Sequence, residues 1–165
     1  MNSESTILAG NLVDLHQASI YPAEIHIQYG TIQKIEKRAV DSKTFLMPGF
    51  VDAHVHVESS MLTPAQFARV AVTYGTVATV SDPHEIANVL GVSGIDFMLE
   101  DAASVPLKIA FGAPSCVPAT PFETAGAVLD AKAVTKLLRR SEVPYLSEMM
   151  NYPGVLNKDP EVLQK

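Results

Sequence analysis

The sequence predicts an α/β fold: a short all-β segment over residues 1–47, then strands alternating with helices over residues 48–165. Three observations predict it. Brief runs of alternating apolar residues, punctuated by turn residues, fill the first segment. From residue 50 the apolar period switches back and forth between two and about 3.6 residues, the mark of a parallel sheet or a (β/α) barrel. Finally, the residues able to do chemistry cluster after each strand-like run, at the end where barrel enzymes assemble their active sites.

In chain order, residues 7–10 and 12–15 read as two short strands. Residues 23–28 form another, with Ile25 and Ile27 alternating against Glu24, His26 and Gln28. Tyr29-Gly30 then turns the chain into residues 31–36, because Gly30 supplies the positive φ of a tight hairpin. Residues 45–47 are a further strand, and His16 and His26 are expected to be solvated surface histidines. A strand beginning at Phe50 carries His54 and His56. Thr63 and Pro64 open a helix whose apolar face is Phe67, Val70, Ala71 and Tyr74, and Gly75 ends it. Residues 76–80 form the next strand, followed by a loop holding Asp82, Pro83, His84 and Glu85. Ser93 caps a helix with Ile95, Met98, Leu99 and Ala102 on one face. Residues 107–111 are a strand, 131–140 a helix and 143–147 a fourth strand. Asp159-Pro160-Glu161 starts a last helix.

His54 and His56 carry the strongest chemical signal. Residues i and i+2 of a strand face the same way, so both imidazoles can aim at one point. Two neutral imidazoles are most of a catalytic divalent-metal site, which usually adds a carboxylate. Glu58, two residues on, is expected to share that face. Ser81, Asp82, His84 and Glu85 end the second strand, Ser115 and Cys116 follow the third, and Glu148 ends the fourth.

Composition restricts the partners. Of 165 residues, 47% are hydrophobic, enough for a folded core. Twelve basic against eighteen acidic side chains give a net charge of −6, with no basic run, which argues against nucleic acid. Cys116 is the single cysteine, which excludes an internal disulfide and a four-cysteine zinc site. The first residues show no charged leader with an apolar core, and no apolar run reaches the roughly 18–20 residues of a membrane span, so a cytoplasmic location is expected. Only four strand-helix units fit where a full barrel takes about 250 residues. The chain is therefore expected to be an N-terminal part of a longer enzyme, poorly soluble or self-associating when alone.

The run from Pro48 to His56, with the β-segment before it and the strand-helix repeat after it, resembles the amidohydrolase superfamily. Four further stretches resemble its adenine deaminase branch: residues 56–61 (HVESSM), 82–91 (DPHEIANVLG), 114–123 (PSCVPATPFE) and 148–154 (EMMNYPG). The resemblance extends over nearly the whole chain. It implies a small β-sandwich domain segment at 1–47 and the first four strand-helix units of a TIM-type (β/α)8 barrel at 48–165, incomplete here. It also implies a divalent-metal pair, manganese foremost with iron(II) or zinc as alternatives, and hydrolysis of adenine to hypoxanthine and ammonia by a metal-activated water attacking C6. His54 and His56 would bind one metal. Many relatives bridge the pair with a carbamylated lysine on the fourth strand; this chain has no lysine there, and Glu148 takes that role. His84, Glu85 and Asp82 are the candidate catalytic residues, for acid/base work or its orientation. Glu58, Ser115 and Cys116 are the candidate substrate contacts. The remaining ligands of such a family site are not in this chain, so no deaminase activity is expected from it alone, and the complete enzyme is expected to be a homo-oligomer.

Other readings are weaker. His56-Val57-Glu58 formally matches the H-x-E of zinc cytidine-type deaminases, but the paired cysteines that pattern requires are missing. An amidohydrolase acting on a cyclic amide shares the His-x-His, and a non-catalytic metal-binding fragment is the alternative outside enzymes.

Overall fold

A computed structural model describes residues 5–120 and 122–165. The fold is mixed α/β with two sheets, and the chain divides into two compact units, Met1–Pro48 and Gly49–Lys165.

The first unit is built on β1 (Ser5–Asp14), β2 (Ser19–Gln28), β3 (Thr31–Lys37) and β4 (Phe45–Leu46) in the order β3-β2-β1-β4. β1 and β2 run antiparallel from Ser5 opposite Gln28 to Asp14 opposite Ser19. The two strands expected at 7–10 and 12–15 are thus one. Gly10 sits inside that strand because a Cβ there would strike the Thr44 carbonyl and Leu46. Asp14 shapes the first turn: its Oδ1 accepts from the backbone N–H of His16 and Gln17, both at 3.0 Å, and Tyr21 donates to Oδ2 at 3.2 Å. Tyr29 and Gly30 both have positive φ, 53° and 72°, as a two-residue hairpin turn of the favoured twist requires. Leu12, Ala23 and Ile25 form the buried face, flanked by Tyr21, Ile27 and Leu46. His16 is exposed, and His26 is half-buried with Glu24 and Glu36 on either side. Among the described residues this unit is a single sheet, without the facing sheet of a sandwich.

The second unit holds the parallel strands β5 (Phe50–Val55), β6 (Thr76–Ser81) and β7 (Lys108–Phe111), adjacent in that order. Its helices are α1 (Pro64–Ala71), α2 (His84–Leu90), α3 (Val92–Ala103), α4 (Ala131–Leu138), α5 (Tyr152–Leu156) and α6 (Pro160–Gln164). One core cluster joins Ala87, Ile95, Val117, Val134, Leu137 and Val143; another joins Val57, Met98 and Phe111. Fully burying such side chains contributes roughly 1.5–3 kcal/mol each. Asp130 caps α4 by accepting from Ala133 N at 2.7 Å, and Asp159 caps α6.

Four expectations are corrected here. α1 buries Pro64 and Ala68, whereas Val70 and Tyr74 are exposed, so the helix is rotated from the expected face. The stretch at 82–85 is not a loop throughout: α2 begins at His84. Its neighbour α3 starts after Gly91, and Ser93 does not cap it but donates to the Leu90 carbonyl. The fourth strand is reduced to one parallel bridge, Ala113 with Leu146. The Val143 N–H bonds back to the Arg140 carbonyl, so the chain joins the sheet only from Tyr145 onward. The bridge is nevertheless firm, with Ala113 N donating to Tyr145 O and Ser147 N donating to Ala113 O. The Tyr145 hydroxyl adds bonds to the carbonyls of Ser81 (2.6 Å) and Ala110 (3.1 Å), tying residues 144–148 to the ends of β6 and β7.

Candidate metal centre

β5 projects His54 from its last turn of pleat, and His56 follows one residue beyond the strand end. Their Nε2 atoms lie 3.1 Å apart, the rings edge to face at 5.0 Å between centroids. The His56 ring is set by its other nitrogen: Nδ1 is 3.0 Å from the Asp82 carbonyl oxygen. A carbonyl only accepts, so Nδ1 carries the hydrogen and Nε2 presents a lone pair.

Glu148 arrives from the end of the tethered stretch. Its Oε1 is 3.2 Å from His56 Nε2 and 3.7 Å from His54 Nε2. Ser115 secures this approach by donating its hydroxyl to the Glu148 backbone carbonyl. The three atoms therefore converge from β5 and from the far side of β7. Donors bound to one ion at about 2.1 Å sit roughly 3.0–3.4 Å apart when adjacent, which is the spacing seen for two of the three pairs. Without a cation or an extra proton, a lone pair of His56 and a carboxylate oxygen face each other at contact distance. The residues present therefore fit a divalent metal, and imidazole with carboxylate suits manganese, iron(II) and zinc alike.

Asp82 and His84 stand beside this group. Asp82 is 5% exposed, and its Oδ2 is 3.1 Å from His84 Nδ1, whose own distance to Glu148 Oε1 is 4.0 Å. The Asp82 carboxylate lying against the ring raises the His84 pKa above its ordinary value, opposed by burial and helped by Glu85 and Glu148. The close pair is not aligned for a hydrogen bond: Asp82 Oδ1 and Oδ2 and His84 Nδ1 are all buried without a hydrogen-bond partner among the described residues. The His56 and His84 rings meet edge to face at 4.6 Å. Glu85, next on α2, accepts from Ser59 Oγ at 2.6 Å.

The expected substrate contacts separate. Glu58 does not share the strand face; it lies in a 3-10 turn, Val57–Ser60, and its Oε1 accepts from Ile86 N, capping the first turn of α2. Burial raises its pKa, against the hydrogen bonds it accepts from backbone N–H groups. Ser115 is buried and its hydroxyl is engaged by Glu148. Cys116 lines an open hollow of about 280 Å³ with His84, Glu85, Asn88, Ala119 and Glu123. Asn88 and Glu123 were not anticipated. Asn88 was legible in principle, since it follows His84 by four residues and shares its helix face, but only once α2 is seen to start at His84.

A family model described as the amidohydrolase family matches residues 45–162. The adenine deaminase of Salinibacter ruber is 61% identical over 158 residues, covering 96% of this chain and 29% of the relative. That of Methanosarcina barkeri is 59% identical over 156 residues, covering 94% and 28%. That of Parabacteroides distasonis is 52% identical over 166 residues, covering 100% and 30%. The chain thus spans less than a third of the length of these relatives.

Proposed function

The chain belongs to the amidohydrolase family, and from that premise we propose that it is part of a metal-dependent aminohydrolase converting adenine to hypoxanthine and ammonia. The adenine deaminase activity of the relatives supports the substrate. The convergence of His54 Nε2, His56 Nε2 and Glu148 Oε1 carries the chemistry. In this reading β5 to β7 and the segment bearing Glu148 open a TIM-type (β/α)8 barrel at 48–165, and residues 1–47 belong to a small β-sandwich domain.

His54, His56 and Glu148 would hold the metal, Glu148 as the carboxylate shared by a pair. A divalent ion there supplies a water acidic enough to act as a nucleophile near neutral pH. The chain's own groups do the rest. His84 and Glu85 border the hollow that would take the purine, Asp82 lies against the His84 ring, and proton delivery to the departing N6 amine would fall to this trio. Cys116 contributes a wall to the hollow, Ser115 fixes Glu148, and Glu58 fixes the first turn of α2 and hence the directions of His84 and Glu85.

The test is His54→Asn and His56→Asn in the full-length protein. Each variant is expected to lose bound metal and at least about a hundredfold in ammonia release from adenine, more than a mere loss of ligand support costs, with circular dichroism unchanged. A variant that keeps both its metal and its ammonia release refutes the reading. A substrate panel in which a cyclic amide outperforms adenine would reassign the substrate and leave the metal site standing.

A further inference from the structure

We propose that Asn88 and Glu123 read the five-membered ring of an unsubstituted purine base: the Asn88 amide donates to a bare ring nitrogen, and the Glu123 carboxylate accepts from the ring N–H that a nucleoside lacks. The inference rests on the aminohydrolase reading above and deepens it, because it assigns the contacts remote from the reacting carbon. The hollow of about 280 Å³ is lined by His84, Glu85, Asn88, Cys116, Ala119 and Glu123. One end lies toward the metal centre, where His84 Nδ1 is 4.0 Å from Glu148 Oε1 and Ser59 holds Glu85. Asn88 follows His84 by four residues, one turn further on the same face of α2 and about 6 Å along its axis. A flat base with C6 at the metal end therefore extends its five-membered ring toward Asn88.

Asn88 is half-buried and Glu123 exposed, and among the described residues neither side chain takes part in a hydrogen bond or an ion pair. The wall beside them offers little polarity: Ala119, and Cys116, whose Sγ is turned to Met149 Sδ at 3.2 Å. A few polar groups set in apolar walls are how small-molecule sites fix orientation. The segment bearing Glu123 is also fastened to α2. Gly126 N donates to Asn88 O at 2.8 Å, Leu129 N donates to Val117 O at 3.0 Å, and a Cβ at Gly126 would strike the Val89 carbonyl. These are backbone contacts, so truncating either side chain leaves them in place. An ionised carboxylate only accepts, whereas an amide also donates. A purine substituted at N9 has no ring N–H, so Glu123 is left with nothing to accept from, and sites built around such a bond reject the analogue that lacks it.

The experiment measures binding of purine and 9-methylpurine to the full-length protein by titration calorimetry, beside ammonia release from adenine. Neither probe carries the amino group that is lost in the reaction. Wild type is expected to bind purine about 10- to 100-fold more tightly than 9-methylpurine. Glu123→Ala is expected to abolish that preference, and Asn88→Ala to weaken both probes about 2- to 10-fold while keeping it. Equal binding of the two probes by wild type overturns the inference without recourse to any variant. So does a Glu123→Ala protein that keeps the preference, or an Asn88→Ala protein that binds both probes as wild type does; if wild type still releases ammonia from adenine, the aminohydrolase reading survives that result. A wild type that prefers purine, with variants that respond as expected, yet releases no ammonia from adenine, supports the two contacts and refutes the aminohydrolase reading.

Discussion

His54 Nε2 and His56 Nε2 lie 3.1 Å apart and 3.7 and 3.2 Å from Glu148 Oε1, so in the proposed metal site one cation would satisfy all three. Metal is therefore expected to stabilise the folded protein. At a free Mn2+ concentration a hundred times its dissociation constant the gain is about 2.7 kcal/mol, read as a higher midpoint of thermal unfolding that a chelator abolishes. An unchanged midpoint counts against the site. Because imidazole must be neutral to coordinate, this gain should shrink as the pH is lowered through the histidine range. The His-x-His pair was legible in the sequence because a strand has a period of two, and Glu148 was legible from its position after a strand-like run. The burial of the Asp82 carboxylate against the His84 ring was not legible. Nothing in Asp82-Pro83 distinguishes a turn former from a buried acid until the fold encloses it.

Local signals competed within several elements. His84–Leu90 was hidden because Asp-Pro reads as a turn, although Glu85 in the first turn, apolar Ile86, Val89 and Leu90, and a closing Gly91 at φ 64° are helix signals. The strand expected at 143–147 fails at its start, where the Val143 N–H still belongs to the turn that follows α4. Its substitute, the Tyr145 ring, passes so close to Gly112 that a Cβ at that position has no room against Tyr145 and Ser147. Gly112→Ala is therefore expected to cost about 1–3 kcal/mol in denaturant unfolding, the range for overpacking. Tyr145→Phe removes the hydroxyl shared by the Ser81 and Ala110 carbonyls, the former keeping the Gly112 N–H, and should cost about 0.5–1.5 kcal/mol. A neutral result for both variants contradicts the packing described. In the β1–β2 hairpin, the N–H of Gln17 chiefly lowers the Asp14 pKa, with Tyr21 and His16 contributing. A lowered folded pKa means stability present above the ordinary value of 3.8 and lost as the pH falls through the folded value. Hairpin amide exchange should accelerate at acid pH in wild type, and Asp14→Asn should be faster already at neutral pH and lack the acid response.

For the molecule as a whole, the strands were readable from periodicity, but what they leave uncovered was not. Phe50 and Val51 on β5 are each 58% exposed and Val77 on β6 is 49% exposed, so this sheet presents apolar surface to water. Exposed apolar area of this kind drives association. The 165-residue chain by itself is expected to sediment as concentration-dependent oligomers, with Phe50→Ser and Val51→Thr together shifting it toward monomer. A monomer at every concentration would show that this surface is inert. No helix among the described residues is long and apolar enough to cross a membrane.

The stretch bearing Glu148 hangs from one rung and two hydroxyls instead of being zipped along a neighbouring strand. A zipped strand dictates where its last side chain sits; a tethered one follows its load. In the proposed metal site Glu148 would then have room to tighten on a small ion or relax around a larger one. Discrimination among ions of similar charge would be shallow, and supply would decide which of them is carried.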